Sequence, residues 1–305
     1  MITPRDRILI TGANGALGEA VVSALAVRCH VIPTDINVRG SLCAELDVSS
    51  RASVRAVCAE VRPTVIVNLA AITDLEECER SPAVAYEINA WAVHLLVREA
   101  RARGIPFIHI STAGVFDGTR ESYTEDDAHE ANPSSVYGKS KYMGELAARA
   151  YSRSIVLRSG WMIGGGPLKD KKFVNKVITQ IRSGVREVRA VHDKAGTPSY
   201  TYDVARLMIH LLDTGQYGLY HACCAGSGSR VAVAESIVQA FGLSGTVSVT
   251  PVDSSYFSGD YSAPRPPSEV ISNDRARALL PASSRHFKEC IAEYAKKFDW
   301  GLPLS

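Results

Sequence analysis

Several features that define large classes of protein are missing from this sequence. The 34 lysines and arginines nearly balance the 32 aspartates and glutamates, so a net charge of +2 gives no electrostatic basis for binding nucleic acid or an acidic membrane. No apolar run approaches the roughly 20 residues of a membrane span, and no signal-peptide core precedes the first strand. We therefore expect a globular cytoplasmic protein whose partners are neither nucleic acid nor membrane.

Cysteine and histidine patterns also lack the usual signatures of disulfide frameworks and metal sites. Seven cysteines is an odd number, and none has CxxC spacing, which fits a reducing compartment. The adjacent Cys223 and Cys224 are either a redox pair or, because neighbouring cysteines are strained when bridged, buried strand residues. The eight histidines include no HExxH, so His109 and His221 are predicted to be strand residues and no metal is expected.

The first half of the chain alternates short apolar runs with helical patterns. "RILIT", "HVIPTD", "TVIVNLAA", "PFIHISTAGVF" and "SIVLRSGW" are predicted strands, and helices are predicted between them, for example near Ser50–Glu60 and over Ala83–Arg103. Continuous Val, Ile and Leu runs separated by helices are typical of parallel strands buried on both faces. The pattern predicts an α/β protein with a Rossmann-type doubly wound parallel sheet over residues 1–160.

After Trp161 the regular alternation of apolar strands and helices ends. Residues 161–305 are predicted to form a smaller α/β lobe that binds substrate. Helices are expected at "FVNKVITQIRSG", "RVAVAESIVQAFG" and Ser284–Phe298, and strands at "GLYHACC" and "TVSVTPV". "GGGPLKDKK" is predicted to be a loop and "SSYFSGDYSAPRPPSEV" a turn-rich surface segment. The border between the two predicted domains is approximate, because chains of this kind can cross back into the first domain.

Three glycines in "TGANGALG" lie directly after the first strand and at the start of a helix. Gly12, Gly15 and Gly18 would allow a tight turn and let backbone amides approach a pyrophosphate. Asp35 follows Gly18 by 17 residues, where a carboxylate meets the adenosine ribose; the alternative is an ordinary turn aspartate. Since a carboxylate there repels a 2′-phosphate, NAD(H) is the preferred cofactor, while NADP(H) remains possible if Arg39 turns towards the ribose.

The segment "SSVYGKSKYMGE" places Tyr137 and Lys141 four residues apart on a predicted helix, so both side chains project from one face. A tyrosine with a pKa near 10 is a poor proton relay at neutral pH, and a neighbouring ammonium is expected to lower that pKa. Ser111 and Thr112 supply hydroxyls at the carboxyl end of a predicted strand, where open α/β sheets bind ligands. The pattern predicts proton and hydride chemistry on a carbonyl.

Taken together, "TGANGALG", "NLAA", "STAGVF" and "YGKSK" resemble the extended short-chain dehydrogenase/reductases, and within them the dTDP-4-dehydrorhamnose reductase-like family. The resemblance covers nearly the whole chain, since "RPTVIVNLAAIT", Asn89 in "YEINAWAV", "LRSGW" and "DKAGTPSYTYDVA" also follow the family's pattern. It implies a Rossmann fold, a nicotinamide cofactor and a nucleotide-sugar substrate.

The resemblance also implies a role for individual residues. Tyr137 would donate the proton, Lys141 would support it and bind the nicotinamide ribose, and Thr112 would hydrogen-bond the substrate oxygen. Beyond the glycines and Asp35, the implied cofactor contacts are Ala16 and Leu17 at the pyrophosphate, Asp47 and Val48 by the adenine, and Leu69, Ala70 and Ala71 along the cofactor. Trp161 and Ala113 would border the sugar.

The chain departs from the family pattern directly after the strand-end hydroxyls. The reductases usually carry an Asp-Tyr pair where this chain has Ala113 and Gly114. Small residues at this point resemble those of sugar-nucleotide epimerases and dehydratases. Two side chains expected to face the substrate are therefore missing, which leaves the identity of the sugar open.

Four cations are candidates for holding the substrate diphosphate. Lys169, Lys171 and Lys172 of "GGGPLKDKK" would suit phosphates as point charges, or would form a solvated basic loop. Arg265 in "APRPPSEV" is in a stretch that reaches the diphosphate in related enzymes, or is a surface arginine. Lys169 and Arg265 are the residues we predict to contact substrate.

The preferred hypothesis is an NAD(P)H-dependent reductase of a nucleotide-linked 4-keto-6-deoxy sugar, with a homodimer as a possible assembly. A second hypothesis is a sugar-nucleotide epimerase or dehydratase that recycles a tightly held NAD, which Ala113 and Gly114 favour. A third, from another class, is a non-catalytic dinucleotide-binding regulatory subunit. The presence of Thr112, Tyr137 and Lys141 together weakens this third hypothesis.

Overall fold

The computed structural model describes residues 1–38 and 42–302, with a sheet of seven parallel strands at its centre. The strands are β1 (Arg7–Thr11), β2 (His30–Asp35), β3 (Ala44–Glu45), β4 (Val65–Asn68), β5 (Phe107–Thr112), β6 (Ser154–Ser159), β7 (Trp161–Ile163), β8 (Glu187–Val191), β9 (Ala195–Gly196), β10 (Pro198–Tyr200), β11 (Gly218–His221), β12 (Gly228–Ser229), β13 (Ser248–Val252) and β14 (Ser268–Glu269). The central sheet has the order β11-β6-β5-β4-β1-β2-β3. Its order reverses between β1 and β4, and this is where doubly wound sheets bind dinucleotides.

Helices connect and cover these strands. They are α1 (Ala16–Ala26), α2 (Arg51–Val61), α3 (Leu75–Arg80), α4 (Pro82–Tyr86), α5 (Ala92–Arg103), α6 (Val136–Arg149), α7 (Gly166–Lys169), α8 (Phe173–Arg182), α9 (Thr201–Thr214), α10 (Arg230–Ala240), α11 (Asp274–Leu279) and α12 (Phe287–Lys297). A π-helical turn over Glu87–Trp91 joins α4 to α5, so the helix predicted over Ala83–Arg103 contains one irregular turn. The Rossmann-type sheet and its flanking helices confirm the predicted fold class.

Both faces of the sheet are buried, which explains the uninterrupted apolar strands. Ile8 and Ile10 of β1 pack with α1 and α9, whereas Leu9 between them packs on the opposite face against α2 and α5. Successive strand residues point to opposite faces, so a strand covered on both sides must be apolar throughout. A separate core lies among α8, α10, α12 and β8, and includes Ile178, Val188 and other residues far along the chain.

The second half of the chain returns to the first. Strand β11 pairs with β6 at the edge of the central sheet, and α9 packs beside α1. The segment that forms α9 and the segment that forms β8 were not predicted as helix and strand. A division into domains at residue 160 remains a prediction, and β11 and α9 both cross any such border.

One expectation for the second half was wrong, and another was largely confirmed. The "GGGPLKDKK" segment contains the short helix α7, because Gly165 and Gly166 adopt positive φ and Lys169 N and Asp170 N close a helical turn. The predicted turn-rich segment is mostly exposed, and only its end forms a strand, β14, which pairs with β9 and is partly buried. Within the described ranges, no helix has the length and hydrophobicity to span a bilayer; the cellular compartment remains a prediction.

Candidate active site

The glycine-rich turn between β1 and α1 is packed so closely that side chains are excluded. Gly12 has φ of +66°, and a Cβ there would lie 2.6 Å from Ala70 N. A Cβ on Gly18 would lie 2.1 Å from Ala13 O. The first-turn amides of α1, which a helix leaves without intrahelical partners, begin at Ala16. This narrow, amide-lined turn fits a dinucleotide pyrophosphate.

Asp35 ends β2 beside this turn, as predicted. Its carboxylate accepts hydrogen bonds from Asn14 N and Asn37 N, each at 3.0 Å. These bonds hold the carboxylate at the edge of the turn, where an adenosine ribose would lie. Arg39, the residue that would weaken a preference for NAD(H), lies outside the described residues.

The remaining cofactor candidates line the same end of the sheet. Asp47 accepts bonds from Ser49 N at 2.9 Å and from Ser49 Oγ at 2.7 Å, and Val48 is buried in the core beneath. Leu69, Ala70 and Ala71 follow β4 and are each half-buried. Buried Asn89 holds the end of this segment, since its side chain exchanges hydrogen bonds with both backbone groups of Ile72, at 2.9 and 3.0 Å.

Thr112 and Tyr137 meet at the carboxyl end of β5. Helix α6 begins after Ser135, whose hydroxyl accepts from Gly138 N at 3.1 Å, and this start puts Tyr137 in the first turn. The Tyr137 side chain is half-buried, and the Thr112 hydroxyl is near enough to lower the pKa of the phenol. Gly114 N donates to Thr112 Oγ1 at 3.1 Å. The strand-end hydroxyl and the phenol are thus brought together as the sequence predicted.

Burial changes the acidity of both members of the Tyr137–Lys141 pair. Burial raises the pKa of Tyr137 to about 12, and the negative charge of Glu269 also raises it. The nearby Thr112 hydroxyl acts in the opposite direction. Burial lowers the pKa of Lys141 to about 8, with Glu145 opposing. The expected lowering of the tyrosine pKa is therefore wrong for this structure, because burial of the phenol dominates. Tyr137 carries its proton at neutral pH, as a proton donor must.

A buried ion pair lies one turn beyond Lys141 and was not predicted. Glu145 accepts from Arg158 Nε at 2.9 Å and Nη2 at 2.7 Å, and both side chains are fully buried. Ser111 Oγ donates to Glu145 at 2.7 Å, so Ser111 belongs to this network and Thr112 to the site. The pair ties α6 to β5 and β6. Lys141 Nζ donates to Ile110 O at 2.6 Å from the same helix.

Trp161 borders the site from the start of the second half. Its indole Nε1 donates to Glu269 at 2.7 Å, and its ring packs on Gly196, where a Cβ would lie 2.3 Å away. The guanidinium carbon of Arg230 is 3.6 Å from the ring centroid. Neither Glu269 nor Arg230 was predicted: Glu269 lies in a segment whose composition suggested only turns, and Arg230 starts a helix with no motif.

Ala113 and Lys169 lie in different parts of the site. Ala113 is buried in a small cluster with Val115 and Phe116, so Gly114 is the member of the pair that borders Thr112. Lys169 lies beside the cofactor turn: a Cβ on Gly165 would be 3.0 Å from Lys169 Cβ and 2.8 Å from Ala16 Cβ.

Two of the three remaining cations contact the loop and helix that follow β4. Lys172 Nζ donates to Thr73 O at 3.0 Å and Oγ1 at 2.9 Å, while Lys171 is exposed. Arg265 is paired with Glu76 at 2.9 Å. Although burial alone would raise it, hydrogen bonds from Ala263, Arg265 and Ser262 lower the pKa of Glu76 to about 2. This carboxylate therefore connects the second half of the chain to α3.

His109 and His221 are buried residues of β5 and β11, which confirms their assignment to strands. Cys223 and Cys224 are buried just after β11, and Cys224 Sγ lies 3.7 Å from Cys290 Sγ, on a different element. Over residues 1–38 and 42–302, no three His, Cys, Asp or Glu residues are grouped as metal ligands would be.

The sheet, the amide-lined turn and the contact of Tyr137 with Thr112 beside buried Lys141 are those of a nicotinamide-dependent oxidoreductase of the extended short-chain dehydrogenase/reductase type. The family model described as the RmlD substrate binding domain matches residues 6–300. The chain belongs to this family.

Individual relatives agree with that assignment. A protein of Streptomyces antibioticus named "Probable dTDP-4,6-dihydroxy-2-methyloxan-3-one 4-ketoreductase" is 34% identical over 294 residues, covering 94% of each chain. The crystal structure of a dTDP-4-dehydrorhamnose reductase from Clostridium acetobutylicum is 35% identical, with a TM-score of 0.84 over 95% of this chain and 98% of that one. A Bacillus anthracis dTDP-4-dehydrorhamnose reductase in complex with NADP is 28% identical, with a TM-score of 0.86 over 96% and 100%.

Proposed function

We propose that this protein reduces the keto group of a nucleotide-linked 4-keto-6-deoxy sugar, with dTDP as the nucleotide that the names of its relatives favour. The observation that carries the proposal is the proximity of the Thr112 hydroxyl to the protonated phenol of Tyr137, on the same helix as buried Lys141. A neutral phenol and a hydroxyl at one strand end suit protonation of a carbonyl oxygen.

Thr112, Tyr137 and Lys141 would each have a separate role in the reduction. Thr112 orients the carbonyl oxygen by a hydrogen bond, and Tyr137 gives that oxygen its proton. Lys141 holds the nicotinamide ribose, and its ammonium stabilises the phenolate that proton transfer leaves behind. When bound, the reduced nicotinamide supplies the hydride. The residues proposed to hold the dinucleotide are those of the Gly12–Gly18 turn with Asp35, Asp47, Val48, Leu69, Ala70 and Ala71.

We propose NAD(H) as the preferred cofactor, because the Asp35 carboxylate is held at the ribose end of the turn by two backbone amides. A negative charge there repels a 2′-phosphate. Asp35→Asn removes the charge with little change of shape, and should raise the ratio of kcat/KM with NADPH to kcat/KM with NADH by about tenfold or more. An unchanged ratio would contradict the preference.

The lobe after residue 160 is proposed to bind the substrate. Trp161 would pack against the sugar, and Arg265 would meet the diphosphate after exchanging or sharing its contact with Glu76. Lys169 lies beside the cofactor turn, so the phosphate nearest to it would be that of the dinucleotide. Its predicted contact with the substrate remains a prediction, as does assembly into a homodimer.

The proposal is tested by NADH consumption with a panel of dTDP-, UDP-, GDP- and CDP-linked 4-keto-6-deoxy sugars. We expect one nucleotide to support stoichiometric oxidation of NADH. Tyr137→Phe should lower kcat by about 10²–10⁴-fold while NADH binding, measured by fluorescence titration, persists. Turnover with tightly bound NAD and no net consumption would instead support the epimerase or dehydratase hypothesis. Lack of oxidation with every sugar, together with a co-purifying partner, would support the regulatory subunit.

A further inference from the structure

The carboxylate of Glu269 lies among the residues proposed to meet the sugar. Its Oε2 accepts a hydrogen bond from Trp161 Nε1 at 2.7 Å. A Cβ on Gly114 would lie 3.4 Å from Glu269 Oε1 and 3.4 Å from Thr112 Oγ1, so these two oxygens flank one point in space. The charge is also close enough to raise the pKa of Tyr137. Glu269 is therefore at the reacting end of the site.

The fold holds this carboxylate at both ends. Glu269 pairs with Gly196 between parallel strands β14 and β9, and Gly196 supports the Trp161 ring that binds Oε2. Within the described ranges, Oε1 has no hydrogen-bond partner. Glu269 is half-buried, and its Oε1 is open to a hydrogen-bond donor from solvent or from a ligand. A ligand hydroxyl at this oxygen would replace a water molecule and form a charge-assisted hydrogen bond.

A neighbouring cation makes a carboxylate tolerable at this position. Arg230 lies against the Trp161 ring and is 5.0 Å from the centroid of Phe173. Burial lowers the pKa of Arg230 to about 10, with the charge of Glu269 opposing, so the guanidinium stays charged at neutral pH. This positive charge offsets the repulsion between Glu269 and the negative charge that develops on a carbonyl oxygen during reduction.

Resting on the proposed function, we propose that Glu269 is a specificity-determining residue whose Oε1 accepts a hydrogen bond from a hydroxyl on the sugar carbon next to the reacting carbonyl. The carboxylate borders the space that a side chain at position 114 would fill. Glu269 therefore supplies the polar group that Gly114 cannot offer to the substrate. Bonds between hydroxyls and carboxylates are short and strong. A site built to bind a hydroxyl discriminates against the substrate that lacks it, because its polar group is then left unpaired.

The test compares two keto-sugar nucleotides, one with the hydroxyl beside the carbonyl and one with hydrogen in its place. Glu269→Ala should lower kcat/KM for the hydroxylated substrate by about 10- to 100-fold and leave the deoxy substrate within about twofold of wild type. Glu269→Gln keeps the size of the side chain and an acceptor for Trp161, so its loss should be smaller but equally selective. If the alanine variant folds poorly, the comparison of the two substrates is made with Glu269→Gln alone.

Glu235→Ala is the matched control, because Glu235 is an exposed glutamate on α10 of the same half of the chain. It should leave kcat/KM for both substrates unchanged. Equal losses on both substrates in the Glu269 variants, or no loss, would overturn the inference and leave Glu269 as a support for Trp161. A wild type that reduces no keto-sugar nucleotide would overturn the proposed function and this inference together. An active, Tyr137-dependent wild type with insensitive Glu269 variants would overturn the inference alone.

Discussion

The proposed cofactor side and the proposed substrate side of this site are built in different ways. On the cofactor side, backbone packs directly on backbone, as where Gly12 lies against Ala70 and Gly18 against Ala13. On the substrate side, the contacts are between side chains distant in sequence; Trp161 and Glu269 are 108 positions apart. Backbone contacts leave no room for variation, whereas a side-chain contact changes with one substitution.

The largest effect is expected at the boundary between the two sides. Lys141→Met should lower kcat/KM by about 10²–10⁴-fold, because it removes the ammonium proposed to support Tyr137 and to hold the ribose. Steady-state rates with NADH and a keto-sugar nucleotide measure this. Lys139→Met is the control, since Lys139 is an exposed residue of the same helix. Activity of the Lys141 variant within twofold of wild type would contradict the assigned role.

The second prediction tests whether the buried ion pair between Glu145 and Arg158 stabilises the packing of α6, the helix that carries Tyr137 and Lys141. Glu145→Ala leaves Arg158 charged and fully buried without its partner, which should lower the free energy of unfolding by about 3–5 kcal/mol. Urea unfolding measures the change. The double variant Glu145→Ala with Arg158→Met removes both charges and should recover a large part of the loss. Equal destabilisation of the single and double variants would show that the lost packing matters more than the unpaired charge.

A third prediction concerns the backbone packing of the cofactor side. Gly18→Ala places a methyl 2.1 Å from Ala13 O, so the turn must move. We expect a loss of about 1–3 kcal/mol in the free energy of unfolding and weaker NADH binding. The control is Gly245→Ala, where a Cβ meets nothing within 4 Å. If both variants bind NADH like the wild type, the turn is more adaptable than its contacts indicate.

The smallest effect compares a buried histidine from each half of the chain. Burial lowers the pKa of His109 well below its usual range and that of His221 to about 3. An unfolded histidine still binds a proton near pH 6.5, so the free energy of unfolding should fall as the pH drops below that value, by at most about 1.4 kcal/mol per pH unit for each histidine. His221→Gln should reduce this slope between roughly pH 5 and 6.5, as measured by urea unfolding at each pH. An unchanged slope would assign the dependence to other groups.

Expectations from the sequence were most accurate where the pattern has a local cause. The strands "RILIT" and "HVIPTD" were predicted with their observed bounds, since a strand covered on both faces must be apolar along its length. Glu145 could have been found too, because it follows Lys141 by four residues on the same helical face. Helix α9 was missed, and the basic segment holding Lys169 was taken for a loop although it forms α7.

By itself, the sequence determined the strand–glycine–helix order, the spacing of Tyr137 and Lys141, and the strand-end Thr112. Each of these depends on neighbours within a few residues, or on the parallel sheet that such neighbours specify. The tertiary structure alone decided that burial raises the pKa of Tyr137, and that Glu269 approaches Trp161 and Gly114. No local pattern encodes these contacts, because they join residues that are far apart in the sequence.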